Sequence, residues 1–410
     1  MIKHPLTCMS VLGLTLSASL WAAPLFQVPQ TPGGAGNPEA PQPRPERRVM
    51  KEALAAPDRR ALCLAISPDG GTLAAGCSDQ LVYLLGPLSG EKRITLAGVK
   101  RGYVRGVAFV PAGKTIAAIS DDHQLRLWDT ASGRMLNELR ALGESEEAGL
   151  PPLSPRSLAV SPDGGLIAVG GAGTLDEKHV VRLDDTTFFE VRDTKTHIRR
   201  WSHLGRRAFL VQLAFSPDGK ILAGDLAEEV RLWDASTGEQ KQTLKPRSGG
   251  VWSIAFSPDN RLMAGDGISS VDGRRMSCLT LWDVRTGAIV HSIEVGEASS
   301  VATSGTLAFS PDGKRLASTG VRVASGRILI GGRDVGSGQK VVNHIKLWDV
   351  TTAALVWTSA EGGFGHVASL VFSPDGRSLY CCDNSAITRV DAGTGQTRKD
   401  LMRAADGRSE

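Results

Sequence analysis

The chain is poor in aromatic residues, which make up 5% of its 410 positions, and it has only six cysteines. Those six, Cys8, Cys63, Cys77, Cys278, Cys381 and Cys382, include no CxxC and no Cys/His spacing, which excludes a zinc module and a disulfide-stapled small domain. They read instead as small buried hydrophobes. The neighbours Cys381 and Cys382 would fall on opposite faces of a strand, so they do not serve one metal. Charge of one sign is also missing: the formal balance is only +4, without the basic stripe that marks a nucleic-acid binder. No HExxH, GxSxG or dinucleotide loop is present. The glycine-rich GRDVGSGQK at 332–340 lacks the Lys-Ser/Thr ending of a phosphate-binding loop, and GAGTLDEK at 171–178 matches no nucleotide fingerprint. No enzyme activity, cofactor or metal is expected from this inventory.

What the chain does have is glycine, 47 residues without a three-residue period, which points to many tight turns. Residues 1–23 carry Lys3 and then an uncharged apolar run, the pattern of an export signal. A cleaved signal is the preferred reading; a retained membrane anchor and a cytoplasmic chain with an incidental apolar start are the alternatives. Residues 24–48 hold seven prolines and little to bury, and read as an extended tether. A single large folded unit is expected over 49–402, followed by a tail at 403–410.

From residue 61 one pattern recurs seven times, in copies starting near 61, 104, 156, 210, 251, 305 and 367. An apolar strand runs into a Ser-Pro-Asp-Gly-type turn, as in LCLAISPDGG (62–71), QLAFSPDGK (212–220) and SLVFSPDGR (369–377). A second strand follows (TLAAGC, ILAGDL), then a third (LRLWDT, VRLWDA), then a Thr-Gly or Ser-Gly turn into a weaker fourth (RMLNEL, EQKQTL). Pro pre-sets one turn dihedral, Asp can bond its own backbone, and Gly takes the left-handed position. A meander of about 40 residues cannot cover both of its faces, so such units must stack and close.

These copies resemble WD40 repeats. The matching pairs are Trp128-Asp129, Trp233-Asp234, Trp282-Asp283 and Trp348-Asp349, with Leu85-Gly86, Leu183-Asp184 and Val390-Asp391 as degenerate equivalents. The resemblance implies an all-β, seven-bladed propeller of four-stranded antiparallel blades, with the Trp and Asp residues in structural roles. The Gly-His that opens a family repeat survives plainly only as Gly365-His366, so packing is expected to outweigh the family's polar network. The family usually completes its last blade with an N-terminal strand. Both 45–57 and 394–402 fit that place, and the N-terminal segment is preferred.

Antiparallel order puts the proline turns and the Thr-Gly turns at one end of every blade. The extra length falls at the other end, in 139–157, 172–179, 195–210, 266–277 and 319–344, with charges of −1, −1, +5, 0 and +3. Long loops on a rigid scaffold concentrate binding residues. The candidate surface is therefore Arg199, Arg200, Trp201, Arg206 and Arg207, read as an inter-blade loop, with Arg322, Arg327, Arg333 and Lys340. The expected function is a non-catalytic interaction scaffold, exported to the periplasm, the cell exterior or a membrane, whose partner is a protein or an anionic polymer. Nucleic acid is disfavoured, and membrane contact is expected only through an uncleaved N-terminus. The competing reading is an enzyme or ligand binder that uses the central channel, with His179, His344 and His366 converging there.

Overall fold

The computed structural model describes residues 59–141, 153–173, 186–206, 210–226, 228–247, 249–271, 274–297, 306–330, 333–359, 367–383 and 386–403. They form seven four-stranded antiparallel sheets, each built from four strands in chain order. Blade 1 holds β1 (Ala61–Ile66), β2 (Leu73–Cys77), β3 (Val82–Leu85) and β4 (Lys92–Leu96). Blade 2 holds β5 (Val104–Val110), β6 (Thr115–Ser120), β7 (Gln124–Asp129) and β8 (Met135–Arg140). Blade 3 holds β9 (Leu153–Val160), β10 (Leu166–Gly173), β11 (Thr186–Asp193) and β12 (Arg199–Arg206). Blade 4 holds β13 (Leu210–Phe215), β14 (Ile221–Leu226), β15 (Val230–Asp234) and β16 (Gln240–Leu244). Blade 5 holds β17 (Ser253–Phe256), β18 (Leu262–Val271), β19 (Arg274–Asp283) and β20 (Ile289–Glu297). Blade 6 holds β21 (Leu307–Phe309), β22 (Arg315–Ile330), β23 (Arg333–Asp349) and β24 (Leu355–Thr358). Blade 7 holds β25 (Ser369–Phe372), β26 (Ser378–Cys382), β27 (Ala386–Asp391) and β28 (Thr397–Arg403).

First strands pack against the first strands of neighbouring blades, β25 against β1 included, so these seven strands line the centre of a closed ring. The apolar cores lie between blades. Seven clusters of buried side chains fill the seven interfaces, one each, from the blade 7/blade 1 seam around to blade 6/blade 7. Strand residues on alternate faces therefore serve different interfaces: Cys381 packs toward blade 6 and Cys382 toward blade 1. Burial pushes the Cys63 thiol up to about 12, so it behaves as a hydrophobe. Trp128, Trp233, Trp282 and Trp348 each face the preceding blade and are almost fully buried. Truncating such a ring to alanine costs about 3–5 kcal/mol.

The proline turns form a rim at one end. In blade 1, Ser67 Oγ donates to Asp69 and accepts the Thr72 N–H at 2.9 Å, while Asp69 accepts the Gly71 N–H at 2.9 Å. Ser161, Ser216, Ser257, Ser310 and Ser373 make the same bond to the aspartate two residues on. Blade 2, with Val-Pro-Ala-Gly at this place, has no such pair. In six blades the turn glycine abuts the proline of the preceding blade's turn; a Cβ at Gly70 would stand 3.3 Å from Pro374. Blade 5 has Asn260 there, at φ 62°, and its side chain accepts the Asp218 N–H at 2.9 Å. The rim thus closes on itself.

Two expectations need correction. The outer strand of blade 7 is β28, which pairs with β27, so the chain's own C-terminal segment fills the place that 45–57 was preferred for. Residues 45–57 lie outside the described residues. Closure rests instead on the apolar cluster between blades 7 and 1 and on Ser369 Oγ, which accepts the Leu64 N–H at 3.3 Å. Ser157 and Gln212 make the equivalent stitch to Leu213 and Ile254, at 2.7 and 2.9 Å.

The second correction is the register of blade 3. Its third strand is β11, and Leu166 pairs with Asp193 as Ile221 pairs with Asp234 and Leu262 with Asp283. Arg192-Asp193, not Leu183-Asp184, occupies the Trp-Asp position. Segment 195–210 is therefore no inter-blade loop. It contains most of the turn from strand three to strand four and all of β12.

Candidate functional site

The two ends of the ring differ in kind. At the rim end, a second set of turns repeats at the aspartates that close each third strand. Asp193 Oδ1 accepts the Lys195 and Thr196 N–H groups and the Thr196 hydroxyl, at 3.0, 2.9 and 3.0 Å. Asp129, Asp234, Asp283, Asp349 and Asp391 hold their turns in the same way. Bonds to the charged form hold these carboxyls below the usual range, the Ser236 hydroxyl and Thr237 N–H bringing Asp234 to about 2. Where five of the turns place glycine at positive φ, blade 3 places His197, at φ 61°, and blade 6 places Ala353, at φ 58°. These six carboxylates are consumed by their own turns.

At the opposite end the blades diverge. In blade 5 the pairing of β18 with β19 runs unbroken from Leu262↔Asp283 to Val271↔Arg274, and β20 follows it as far as Glu297↔Met276. In blade 6, β22 and β23 pair from Arg315↔Asp349 to Ile330↔Arg333. Their flanking strands stop early, β21 at Ser318 and β24 at Lys346. Gly320 to Ile330 and Arg333 to Asn343 thus make a two-stranded ribbon that, among the described residues, pairs only with itself. At ~3.3 Å per residue such a ribbon carries the chain roughly 30 Å past the blade. The insertions 266–277 and 319–344, expected as loops, are lengthened hairpins.

The predicted basic residues separate accordingly. Arg322, Arg327, Arg333 and Lys340 all fall on the blade 6 hairpin. Arg199 and Arg200 open β12, at the rim end, and Arg206 closes it at the other; Arg207 and His179 lie outside the described residues. Arg200 clamps Asp193 at 2.8 Å, as Arg398 clamps Asp391 at 2.8 Å. Trp201 lies over the turn of blade 4: its Nε1 donates to the Ala235 carbonyl at 2.9 Å, and a Cβ on Gly238 would meet its ring at 2.6 Å. Trp357 sits on Gly395 in the same manner and donates to the Ala392 carbonyl at 3.0 Å. Packing therefore accounts for Trp201. The true connection between strands two and three of blade 3, residues 174–185, carries a charge of −2, so the insertion end is not uniformly basic.

Of the three histidines expected at the channel, His344 alone is among the described residues. His344 stands on β23, a third strand rather than a channel-lining first strand, and is 5% exposed. His366 lies outside the described residues. Among the described residues, no three His, Cys, Asp or Glu side chains are placed to hold a metal.

Two polar features escaped sequence reasoning. Arg126, fully buried on β7, pairs with Asp122 and Glu138, each at 2.7 Å. Burial pushes Asp122 up, but bonds from Arg126, the Lys100 N–H and Ser120 outweigh it and hold the carboxyl at about 2. His203 lies against Phe189 and Trp233 with ring centroids 5.1 Å away in each case, and its Nε2 is buried without a partner. Burial, then the charge of Arg231, holds its pKa below the ordinary histidine value. An Asp two residues before Gln124 and a lone His in an outer strand carry no distinctive spacing that could have announced either feature.

Comparison with known proteins agrees with this geometry. The model of the WD domain, G-beta repeat, matches residues 54–84, 90–129 and 238–274. Protein tipD of Dictyostelium discoideum is 24% identical over 284 residues, 69% of this chain and 41% of that protein. The periodic tryptophan protein 2 homolog of Schizosaccharomyces pombe is 26% identical over 185 residues, 43% of this chain and 20% of its own length. Eukaryotic translation initiation factor 3 subunit I of Pyricularia oryzae is 27% identical over 113 residues, 27% of this chain and 30% of that one. The chain spans less than half the length of these curated relatives. Three stretches that match the WD domain model, phased on seven four-stranded blades in a ring, give this chain repeats of the WD domain type and the fold of a seven-bladed β-propeller.

Proposed function

We propose that the chain is a non-catalytic platform that binds a partner protein through the end of the ring bearing the blade 5 and blade 6 hairpins. The observation that carries this reading is the side-by-side lengthening of β18–β19–β20 and β22–β23, opposite an end whose turns are all short. Insertions that fall on one face of a repeat fold mark its binding face. A paired ribbon offers a partner the backbone groups along its edges. The blade 6 hairpin adds Arg322, Arg327, Arg333 and Lys340 against Asp334, a charge of +3 that suits an acidic partner. One relative is named as a subunit, which fits a platform role. In this reading residues 1–23 direct export and 24–48 tether the ring. The test is affinity capture from the native cell with the parent chain and with a form in which a short turn replaces residues 321–342. The platform reading expects the captured partner to be lost with the hairpin while the melting transition stays in place. Equal capture by both forms would overturn it.

A further inference from the structure

The first strands carry a repeated defect at the same end as the hairpins. In β1 the register steps from Ala61↔Cys77 to Cys63↔Gly76 and skips Leu62. In β5 it steps from Val104↔Ser120 to Gly106↔Ile119 and skips Arg105; in β9 it steps from Pro155↔Gly171 to Ser157↔Gly170 and skips Arg156. Each skipped residue stands five positions before the first residue of its proline turn. A β-bulge takes one side chain out of the ladder and re-aims it, and bulges gather beside binding sites. Here they occur on channel-lining strands, at the mouth opposite the proline rim.

In blades 2 and 3 the re-aimed residues are both arginines, and they are neighbours. Strands β5 and β9 pack together, and a Cβ at Gly106 would stand 3.2 Å from the Leu158 Cβ. Arg105 is tied down: its Nε and Nη2 donate to the two oxygens of Asp121 at 2.7 and 2.9 Å. Arg156 is exposed, and among the described residues nothing pairs with it. Although the residue reaches solvent, the protein packed around its guanidinium holds its pKa below the ordinary arginine value, the like charge of Arg105 adds to this, and Asp121 opposes it. In blade 5 the residue at the matching position is Trp252, whose Nε1 donor is buried without a partner. Among the described residues, these two adjacent cations share a single carboxylate, Asp121.

We propose that Arg156, supported by Arg105, is an anion site at the channel mouth that takes a carboxylate of an acidic segment of the partner protein. The planar guanidinium of Arg156 offers a fork matched to a carboxylate, and Arg105 adds field without giving up Asp121. This assignment rests on the platform reading for its partner, but it uses a different surface from the hairpin.

The probe is a fluorescent oligoglutamate peptide, titrated by anisotropy at low salt onto the parent chain, Arg156→Gln, Arg200→Gln and the hairpin-shortened form. Arg200, at the rim end, controls for general charge loss. The site predicts that Arg156→Gln weakens binding about tenfold, the loss of one charge-assisted contact. Arg200→Gln should bind as the parent does, and added salt should weaken the parent complex. Equal binding by parent and Arg156→Gln, an equal loss in Arg200→Gln, or no binding by the parent overturns the site. The Arg156 effect is read within the hairpin-shortened form as well. A failed channel site is thus told apart from a failed platform, which native capture alone decides.

Discussion

Asp234 and Asp266 sit on adjacent blades of one ring and are held in opposite ways. Asp234 closes a third strand at the rim end, where hydroxyl and N–H donors bring its carboxyl to about 2. Asp266 lies on β18, where the blade 5 hairpin begins, and burial pushes it up to about 7 with only the Gly267 N–H to oppose the shift. At the rim end most copies bind the turn carboxylate with hydroxyl and N–H donors of the same turn. Among the described residues, the hairpin end leaves Asp266 desolvated, Arg156 without an ion-pair partner and a ribbon that pairs only with itself. Location alone does not decide the matter, since Asp122 is also at the hairpin end yet is held at about 2 by Arg126 and its other donors. Local partners decide it.

The largest expected effect lies in the interfaces that carry both ends. Trp282→Ala should cost about 3–5 kcal/mol, because the ring fills the blade 4/blade 5 core and its Nε1 donates to the Lys245 carbonyl at 3.0 Å. Denaturant unfolding measures it, and a loss under about 1 kcal/mol would mean that the cores between blades are not what closes the ring. Arg126→Met follows, since removing one member of a buried ion cluster leaves Asp122 and Glu138 uncompensated, at about 3 kcal/mol.

The contrast between the two aspartates has a pH signature. Asp266 binds its proton more tightly folded than unfolded. Its contribution is therefore complete below the unfolded value near 3.8 and is lost as pH rises through about 7. The rim carboxylates have the opposite sign: their contribution is present above the unfolded value and is lost on acidification. Melting curves from pH 4 to 8 should show the alkaline loss in the parent and a flatter profile in Asp266→Asn. An unchanged slope in that variant would place the titrating group elsewhere. The smallest effect sharpens the register of blade 3: Asp193→Ala should lower the melting temperature measurably, and Asp184→Ala should leave it unmoved. The reverse result would restore Leu183-Asp184 to the Trp-Asp position.

That register shows how far the sequence could be read. Seven strand-turn units and six of the seven Trp-Asp positions were legible, because Ser-Pro-Asp-Gly and Asp-x-x-Thr-Gly advertise themselves through turn chemistry. Blade 3 hides its turn by using His197 where five of the others use glycine, while Val-Val-Arg-Leu-Asp-Asp upstream imitates a third strand. The hairpins were not legible as strands, since their Gly-, Ser- and Arg-rich residues acquire order only from the partner strand across the register. The stitching serines and the arginines of the bulges were invisible for the same reason: their meaning depends on the neighbouring blade. Charge counted over segments went wrong with the register, moving Arg199 and Arg200 to an end where they do not lie.

The most direct test of the account is a hydrogen-exchange footprint of the chain bound to its captured partner. Protection should rise in the blade 5 and blade 6 hairpins, 267–277 and 320–343, and near Arg105 and Arg156, while the seven proline turns keep the exchange of the free ring. Protection that falls on the proline turns and leaves the hairpins unchanged would contradict it.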